Sequence, residues 1–147
     1  MPEKQADIIV IQDRIIDVTG AIASVSSCEG GAVATFLGTT RVETSGDKRS
    51  LLALDYEAYA EMAEEQMRKL ADQARHRWPI LRLALVHRIG RVEIGQPSVL
   101  VAVCTPHRAE AFEACRFLID ELKKSAAIWK KEVWDDGSSD WVGHRGE

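Results

Sequence analysis

Short apolar runs along the chain predict a series of β-strands. Runs rich in β-branched and apolar residues, bounded by glycine or polar turn residues, are typical of strands. The polar segment 41–50 carries a Ser-Gly-Asp turn signal and is predicted to be a loop, and RVEIGQP (91–97) is predicted to be a connection. The predicted strands are 6–13, 30–40 with a break at Gly38, 51–59, 80–90, 98–105, and two short strands within 128–143 around the turn DDGSSD.

Two longer segments place apolar residues at helical spacing. In 60–78, which Pro79 ends, the predicted buried face comprises Tyr59, Ala63, Met67, Leu70, Ala74 and Trp78. In 107–125 the predicted buried stripe comprises Ala111, Phe112, Cys115, Leu118, Ile119 and Leu122. A short helix is predicted over 17–27, beginning near Asp17 or Thr19. Few strand pairs are separated by a single helix, so the order predicts an α+β domain with a mainly antiparallel sheet and two principal helices.

Length, charge and cysteine usage limit the class of protein. The 147 residues predict one domain spanning 1–147, and the net charge of -4 argues against a broad basic surface for nucleic acid. The N-terminal residues hold no long apolar run, so neither a secretion signal nor a membrane span is predicted. Cys28, Cys104 and Cys115 are widely separated and form no CxxC pair, which argues against a zinc site and favours a reducing, cytoplasmic location.

Basic residues gather at the predicted start of the second long helix, in TPHR. Thr105 suits the N-cap and Pro106 the first helical position, which places His107 and Arg108 in the first turn. A helix N-terminus favours anions, so cations at that end make sense if they hold a phosphate or a carboxylate. The alternative is a solvated arginine beside a packing histidine.

Three further motifs are weak when taken alone. In VHRIG, a buried His87 with a surface Arg88 is favoured over a site. In LGTTR, Gly38 would let the backbone approach a ligand beside Arg41, but the glycine pattern is not that of a phosphate-binding P-loop. Cys104 precedes His107 by three residues, yet a small buried hydrophobic residue is favoured over a Cys-His nucleophile.

The stretch LKKSAAIWKKE, 122–132, places four lysines within a short span of an acidic chain. The helix is predicted to end near residue 125, after which a strand would bring Lys130 back towards Lys123. Structural explanations exist for each pair, since Lys123-Lys124 would lie in the last turn, where cations are favourable, and Lys130-Lys131 could protect an edge strand. Trp129 is expected to pack at this corner. Composition alone favours these structural explanations.

Taken together, the motifs resemble one family, the large catalytic subunits of molybdopterin synthase (MoaE family). The resemblance covers about residues 30–143 and is carried by GAVATFLGTTR, LDYEAY, ARHRWP, VHRIGRVEIGQ, HRAEAFEACRFLIDELK, IWKKE and the final DW. It implies an α/β hammerhead fold, a homodimer, and a heterotetramer with a small ubiquitin-like sulfur-carrier subunit whose C-terminal Gly-Gly tail bears a thiocarboxylate. It also implies transfer of two sulfurs to cyclic pyranopterin monophosphate, which gives molybdopterin, with no metal or other cofactor in this chain.

The same resemblance implies roles for individual residues. The catalytic residues would be Lys123 and Lys130, and the substrate-binding residues would be Phe36, Thr39, Thr40, Arg41, His107, Arg108, Lys131, Glu132 and Arg145. Arg145 would be contributed by the second subunit of the dimer, although the turn before it is about one residue longer than the usual pattern. Ala127 stands where the family often has proline, and a flexible tail is expected from about residue 143.

The residue types agree with this chemistry. Arginine and lysine in a partly desolvated pocket can neutralise a phosphate and a thiocarboxylate, and an amine beside other cations gives up its proton more readily. We expect Lys123 to approach the thiocarboxylate carbon and Lys130 to assist proton transfer and bind the pterin. Two other classes stay open: a non-catalytic module that docks ubiquitin-like tails, and a small phosphohydrolase that uses the TPHR helix start.

Overall fold

Three helices and eight strands make up residues 7–142, which are the residues that the computed structural model describes. In chain order they are β1 (Ile8–Gln12), α1 (Val18–Val25), β2 (Ala32–Thr39), β3 (Leu51–Ala58), α2 (Ala60–Arg77), β4 (Arg82–Arg88), β5 (Gly90–Glu93), β6 (Pro97–Thr105), α3 (Arg108–Ser125), β7 (Ile128–Trp134) and β8 (Ser139–Trp141).

The described strands form two four-stranded sheets. The first has the order β1-β4-β6-β2, in which only the β1–β4 pair is parallel. The second has the order β5-β3-β7-β8 and is antiparallel throughout. The predicted α+β class with mainly antiparallel pairing is therefore confirmed.

The strand β5 is an element that the hydrophobic pattern did not predict. It lies within the segment expected to be a connection, spans four residues, and buries only Val92. So short a strand gives no readable alternation, and pairing with β3, where Tyr56 lies opposite Gly90, defines it instead. Gly90 has a φ of +83°, a backbone conformation that favours glycine between two strands belonging to different sheets.

The main core lies between the first sheet and the helices α2 and α3. Met67, Leu85 and Leu118 are fully buried there, and burying each such side chain contributes roughly 1.5–3 kcal/mol. The short helix α1 covers the opposite face of the sheet around Val25. Because α3 packs on β6 and β2, and α2 packs on β1 and α3, the ends of these helices are held in fixed positions relative to the strand ends.

Two residues of the predicted buried faces are exposed instead. Phe112 is 67% exposed, and the prediction that it belongs to the buried stripe is wrong. It lies at the margin of that stripe, beside the outer strand β2, where no described strand covers it. Tyr59, also 67% exposed, precedes the first residue of α2 and packs its ring against Trp129 at 5.2 Å.

The start of α3 also differs from the prediction. The strand β6 continues through Thr105, which pairs with Ala32 and is fully buried. The Thr105 hydroxyl donates to the carbonyl of His107 at 2.6 Å, so it does not cap the helix, and His107 is the N-cap residue. At α1, by contrast, Asp17 accepts a hydrogen bond from the Gly20 amide, as expected of an N-cap.

Candidate active site

Lys123 and Lys130 flank a corner between α3 and β7. Lys123 lies in the last turn of α3, which ends at Ser125, and Lys130 is the third residue of β7. The two residues between these elements are buried, so the corner is packed into the protein. The predicted geometry of LKKSAAIWKKE is therefore confirmed.

The helix α2 fixes the backbone of this corner. The amide of Ala127 donates to the side-chain oxygen Oε1 of Gln66 at 2.7 Å. The carbonyl of Ala127 accepts from the amide of Tyr59 at 3.1 Å. Proline has no N–H and could not make the first of these bonds. In this chain a glutamine side chain therefore holds the segment between α3 and β7, and with it the distance between Lys123 and Lys130.

His87, at the end of β4, lies close to Lys130, because the Tyr56 ring that packs against His87 lies opposite Lys130 in the β3–β7 ladder. It is 7% exposed, and its Nδ1 lies 2.8 Å from the carbonyl oxygen of Arg88. Burial lowers the pKa of His87 to about 4, and the charges of Lys123 and Lys130 add to that lowering. The expectation of a buried His87 is confirmed, and the charges of both lysines act on its ring.

Strand alternation separates Lys130 from Lys131. In the β3–β7 ladder Lys130 lies opposite Tyr56 and Lys131 lies opposite Asp55. Successive side chains of a strand point to opposite faces, so the two lysines face different ways. The amino group of Lys131 lies 5.3 Å from the centre of the Trp141 ring. The structure therefore does not bring the Lys131 side chain together with Lys123 and Lys130.

Glu132 shares the face of Lys130, two residues further along β7. Burial and the neighbouring carboxylate of Glu43 raise the pKa of Glu132, while the charge of Lys130 acts in the opposite direction. Glu43 belongs to the segment 41–50, so this predicted loop lies next to the same face. The candidate site thus contains the carboxylates of Glu132 and Glu43 as well as the lysine pair.

The end of β2 lies at the same end of the first sheet as His87. Gly38 is opposite Val99 of β6, and Val99 is opposite His87 of β4. A Cβ atom at Gly38 would lie 2.6 Å from a methyl carbon of Val99, so close packing against β6, rather than a ligand, explains this glycine. Thr39, Thr40 and Arg41 follow it.

The turn between β5 and β6 holds this segment. The Thr40 amide donates to the Gln96 carbonyl at 3.1 Å, and the Gly95 amide donates to the Thr40 carbonyl at 2.7 Å. Thr40 is buried, whereas Thr39 and Arg41 are exposed. Arg41 therefore has solvent access at the lysine end of the sheet. Arg88, predicted at the surface, is instead partly buried and donates to the Gln96 side chain at 3.0 Å.

His107 and Arg108 lie at the other end of α3. Arg108 precedes Lys123 by fifteen residues in one helix, so a rise of 1.5 Å per residue separates them by about 22 Å. Both His107 and Arg108 are exposed. Within one chain the structure therefore separates the predicted anion-binding pair from the lysines.

Phe36 lies between these two ends, and Arg145 is outside the described residues. Phe36 is 36% exposed and lines a groove of about 330 Å³ together with Phe112, Cys115 and Ile119. The groove follows the outer strand β2 along α3. It is apolar, unlike the lysine end.

Comparison with known proteins identifies the family. The sequence matches the family model described as MoaE protein over residues 11–125. The chain belongs to the MoaE family. It is 45% identical over 133 residues to the molybdopterin synthase catalytic subunit of Halalkalibacterium halodurans. The aligned region covers 90% of this chain and 83% of that relative.

Solved structures of MoaE proteins and their relatives share the fold. The crystal structure of molybdopterin synthase from Staphylococcus aureus matches with a TM-score of 0.86 at 36% identity, covering 92% of this chain and 97% of that chain. A complex of subunits 1 and 2 of the molybdopterin-converting factor from Helicobacter pylori 26695 matches with a TM-score of 0.76 at 22% identity, covering 92% and 90%. The expected hammerhead-type α+β architecture of the MoaE family is thus confirmed.

The two buried cysteines of this MoaE chain are poorly suited to act as nucleophiles. Cys104 is fully buried among Val25, Ala84 and Ala102, away from solvent. Burial raises the pKa of Cys115 to about 11, so its thiol stays protonated at neutral pH. Cys28 is exposed.

No group of three or more His, Cys, Asp or Glu side chains within residues 7–142 is arranged to hold a metal ion. No described helix is long and apolar enough to cross a membrane.

His87 is the residue at this MoaE site whose position sequence reasoning missed. Its motif, VHRIG, gave only a histidine at a strand end. The available signal was indirect: β4 was predicted to end at His87-Arg88, and strand ends are common places for functional residues. What the sequence did not show is that Lys123 and Lys130 come from two other elements to the same point.

Proposed function

We propose that this chain is the catalytic subunit of a molybdopterin synthase. It transfers sulfur from the C-terminal thiocarboxylate of a small ubiquitin-like carrier to cyclic pyranopterin monophosphate, forming the dithiolene of molybdopterin. The observation that carries the proposal is the position of Lys123 and Lys130 on either side of one corner of fixed backbone geometry, where the charges of both act on the buried His87. The names of the MoaE relatives support the same reaction class.

Lys123 and Lys130 suit the two tasks of this reaction, which are activation of the thiocarboxylate and proton transfer at the pterin. Lys123 approaches the carbonyl carbon of the thiocarboxylate, where it either polarises the C=O bond or forms a brief covalent adduct. The carbon–sulfur bond of the thiocarboxylate breaks as sulfur bonds to a pterin carbon, from which an oxygen leaves in exchange, and water restores a carboxylate on the carrier. Lys130 binds the pterin and assists the accompanying proton transfer. Glu132, on the same face as Lys130, lies where it can orient that lysine or a polar edge of the substrate.

Arg41 and its neighbours would hold the substrate anion. Thr39 and Arg41 are exposed at the lysine end of the sheet, and Thr40 anchors their backbone. An exposed guanidinium suits the phosphate of a cyclic pyranopterin. Phe36 lies in the apolar groove beside them and would contact the carrier's tail. Lys131, which faces away, has the weakest geometric support as a ligand.

We assign His107 and Arg108 to the site of a second copy of the chain. About 22 Å of helix separates them from Lys123 of their own chain, but a homodimer can place the helix start of one copy beside the lysines of the other. Arg145, outside the described residues, would reach across the same interface.

The decisive experiment supplies the purified chain with thiocarboxylated carrier and cyclic pyranopterin monophosphate and measures dithiolene formation. We expect Lys123→Ala and Lys130→Ala each to lower the single-turnover rate at least about 100-fold, within the range that acid–base groups supply. Lys124→Ala and Lys131→Ala are matched controls and should stay within about threefold, because Lys124 pairs with Glu121 and Lys131 faces Trp141. Normal turnover by Lys123→Ala would sink the assignment, and carrier binding without product would favour a docking module.

Mixing two inactive variants tests the shared site. Lys123→Ala and Arg108→Ala chains, unfolded and refolded together, form mixed dimers with one intact site if Arg108 acts across the interface. About a quarter of all sites should then be active, by random pairing of two subunit types. A mixture that stays inactive while mixed dimers are present would place Arg108 in its own chain's site, and an Arg108→Ala chain that is active by itself would place Arg108 outside any site.

A further inference from the structure

His87 is a buried titratable group at the lysine corner to which the proposed reaction assigns no task. It is the last buried residue of β4 and faces groups from three other elements. These are Tyr56 of β3, Lys123 of α3 and Lys130 of β7. A histidine that only filled space would not need two amino groups beside it.

The hydrogen bond at Nδ1 settles which tautomer the ring adopts. The Arg88 carbonyl oxygen, 2.8 Å away, can only accept, so Nδ1 must carry the proton. In a neutral imidazole the other nitrogen, Nε2, then has a free lone pair. Burial and the two lysine charges keep the ring neutral, since they lower the pKa of His87 to about 4. The ring therefore presents an acceptor to a neighbourhood rich in donors.

The orientation of the ring is held from a second side. The edge of the Tyr56 ring meets the His87 ring at 5.0 Å and 66°. Burial raises the pKa of Tyr56, so it stays neutral, and its hydroxyl bonds with Ser98, which in turn donates to the Gly38 carbonyl. The anionic groups on the Lys130 side of this corner are Glu132, further along β7, and Glu43, whose charge acts on Glu132. Nε2 is thus an uncharged acceptor on a ring of fixed orientation, and the charges of Lys123 and Lys130 both act on that ring.

We propose that His87 is a positioning residue for the lysine pair, whose unprotonated Nε2 accepts a hydrogen bond from the ammonium group of Lys123 or Lys130. One lysine is thereby held in place as a charged donor, while the amine of the other is left to react with the thiocarboxylate. A single acceptor shared by two donors also makes their protonation interdependent. This inference rests on the proposed function for its catalytic meaning, but the hydrogen bond itself does not depend on turnover.

Nitrogen NMR of the uniformly ¹⁵N-labelled protein at pH 7 tests the hydrogen bond directly. We expect the His87 ring to show a protonated Nδ1 and a bare Nε2, and one lysine Nζ signal to persist because hydrogen bonding slows its exchange with water. Spectra of Lys123→Ala and Lys130→Ala assign that signal. The signal should vanish in His87→Met, which keeps a side chain of similar length without the acceptor, and should remain in His87→Gln, whose amide oxygen can replace Nε2. A protonated Nε2, or a signal unchanged in His87→Met, would overturn the inference.

The sulfur-transfer assay gives the functional arm. His87→Met should lose about 10–100-fold in single-turnover rate, the scale of a misplaced reacting group, and should show a shifted pH profile. His87→Gln should recover most of the rate, and His76→Gln, at an exposed histidine of α2, serves as the matched control. Equal losses in His87→Gln and His87→Met with an unchanged pH profile would reduce His87 to a structural role. If the wild type transfers no sulfur, the proposed function fails while the NMR result still decides the hydrogen bond.

Discussion

Acid should destabilise this protein through His87, and the size of the effect follows from the burial of the ring. In the unfolded chain His87 takes up a proton below its ordinary pKa of 6.5, whereas in the folded protein burial, together with the two lysine charges, lowers the pKa to about 4. Between these values the unfolded state binds a proton that the native state does not. Stability contributed by His87 is therefore fully present above pH 6.5 and is lost as the pH falls towards 4.

The size of this loss of stability follows from the difference between the unfolded and folded pKa values of His87. Each pH unit between 6.5 and about 4 changes the free energy of unfolding by about 1.4 kcal/mol, so the full effect is about 3 kcal/mol. From pH 7 to pH 5 the His87 contribution alone should fall by about 2 kcal/mol. That is a large share of the 5–15 kcal/mol typical of a folded domain.

Urea unfolding followed by tryptophan fluorescence at pH 7, 6 and 5, at one protein concentration, measures this loss. The wild type should lose about 2 kcal/mol more than His87→Gln over that range, because glutamine does not titrate. Carboxylates that titrate in both proteins cancel in the comparison. His76→Gln should follow the wild type, since His76 is exposed. Parallel curves for the wild type and His87→Gln would show that the buried ring is not held neutral, and the reasoning would fail.

Three further substitutions test the scaffold around the site. Gln96→Ala removes the acceptor of the Arg88 guanidinium and should lower the free energy of unfolding, measured in urea, by about 1–2 kcal/mol. Amide exchange in the β5–β6 turn should become faster, and unchanged exchange would contradict the prediction. Arg75→Ala removes the bidentate salt bridge to Asp7, the residue before β1, which links β1 to α2. It should lower the free energy of unfolding by about 1–3 kcal/mol, and an unchanged free energy would mean that the salt bridge is not formed in solution. Met67→Ala opens a cavity in the fully buried core and should cost about 2–5 kcal/mol; a loss below about 1 kcal/mol would mean that the core refills.

The sequence predicted the elements that carry strong local signals. The helix over 60–78 has a clear apolar face and a proline stop, and α2 indeed spans Ala60–Arg77. The corner after Ser125 was predictable because small residues and then β-prone residues interrupt the helical pattern. Those two signals were enough to place Lys123 and Lys130 near one another.

Features that depend on contacts distant in sequence were not predictable. Thr105 has the residue type of an N-cap, but its pairing with Ala32 extends the strand and moves the helix start. Phe112 matches the helical stripe, yet its exposure depends on where the sheet ends.

The candidate site was predictable as a list of residues more than as an arrangement. The family resemblance supplied Lys123, Lys130 and Arg41, which the structure places at one end of the first sheet. It also supplied Lys131, whose side chain turns out to face the other side of β7, as strand alternation requires once the register is known. The register with β3 is a tertiary property, so the facing of each lysine had to come from the structure.

The hydrogen bond from Ala127 to Gln66 couples the choice of residue at two positions that are 61 residues apart. A relative with proline at position 127 stiffens this corner through its ring and has no amide to offer, so glutamine at position 66 would have nothing to accept there. Changing Ala127 to proline alone leaves a glutamine oxygen without its donor, and changing Gln66 alone leaves a partly buried amide without its acceptor. Either single step weakens the protein, and only the paired exchange converts one solution into the other. Chimeras between this chain and its proline-bearing relatives should therefore succeed when both positions come from the same parent.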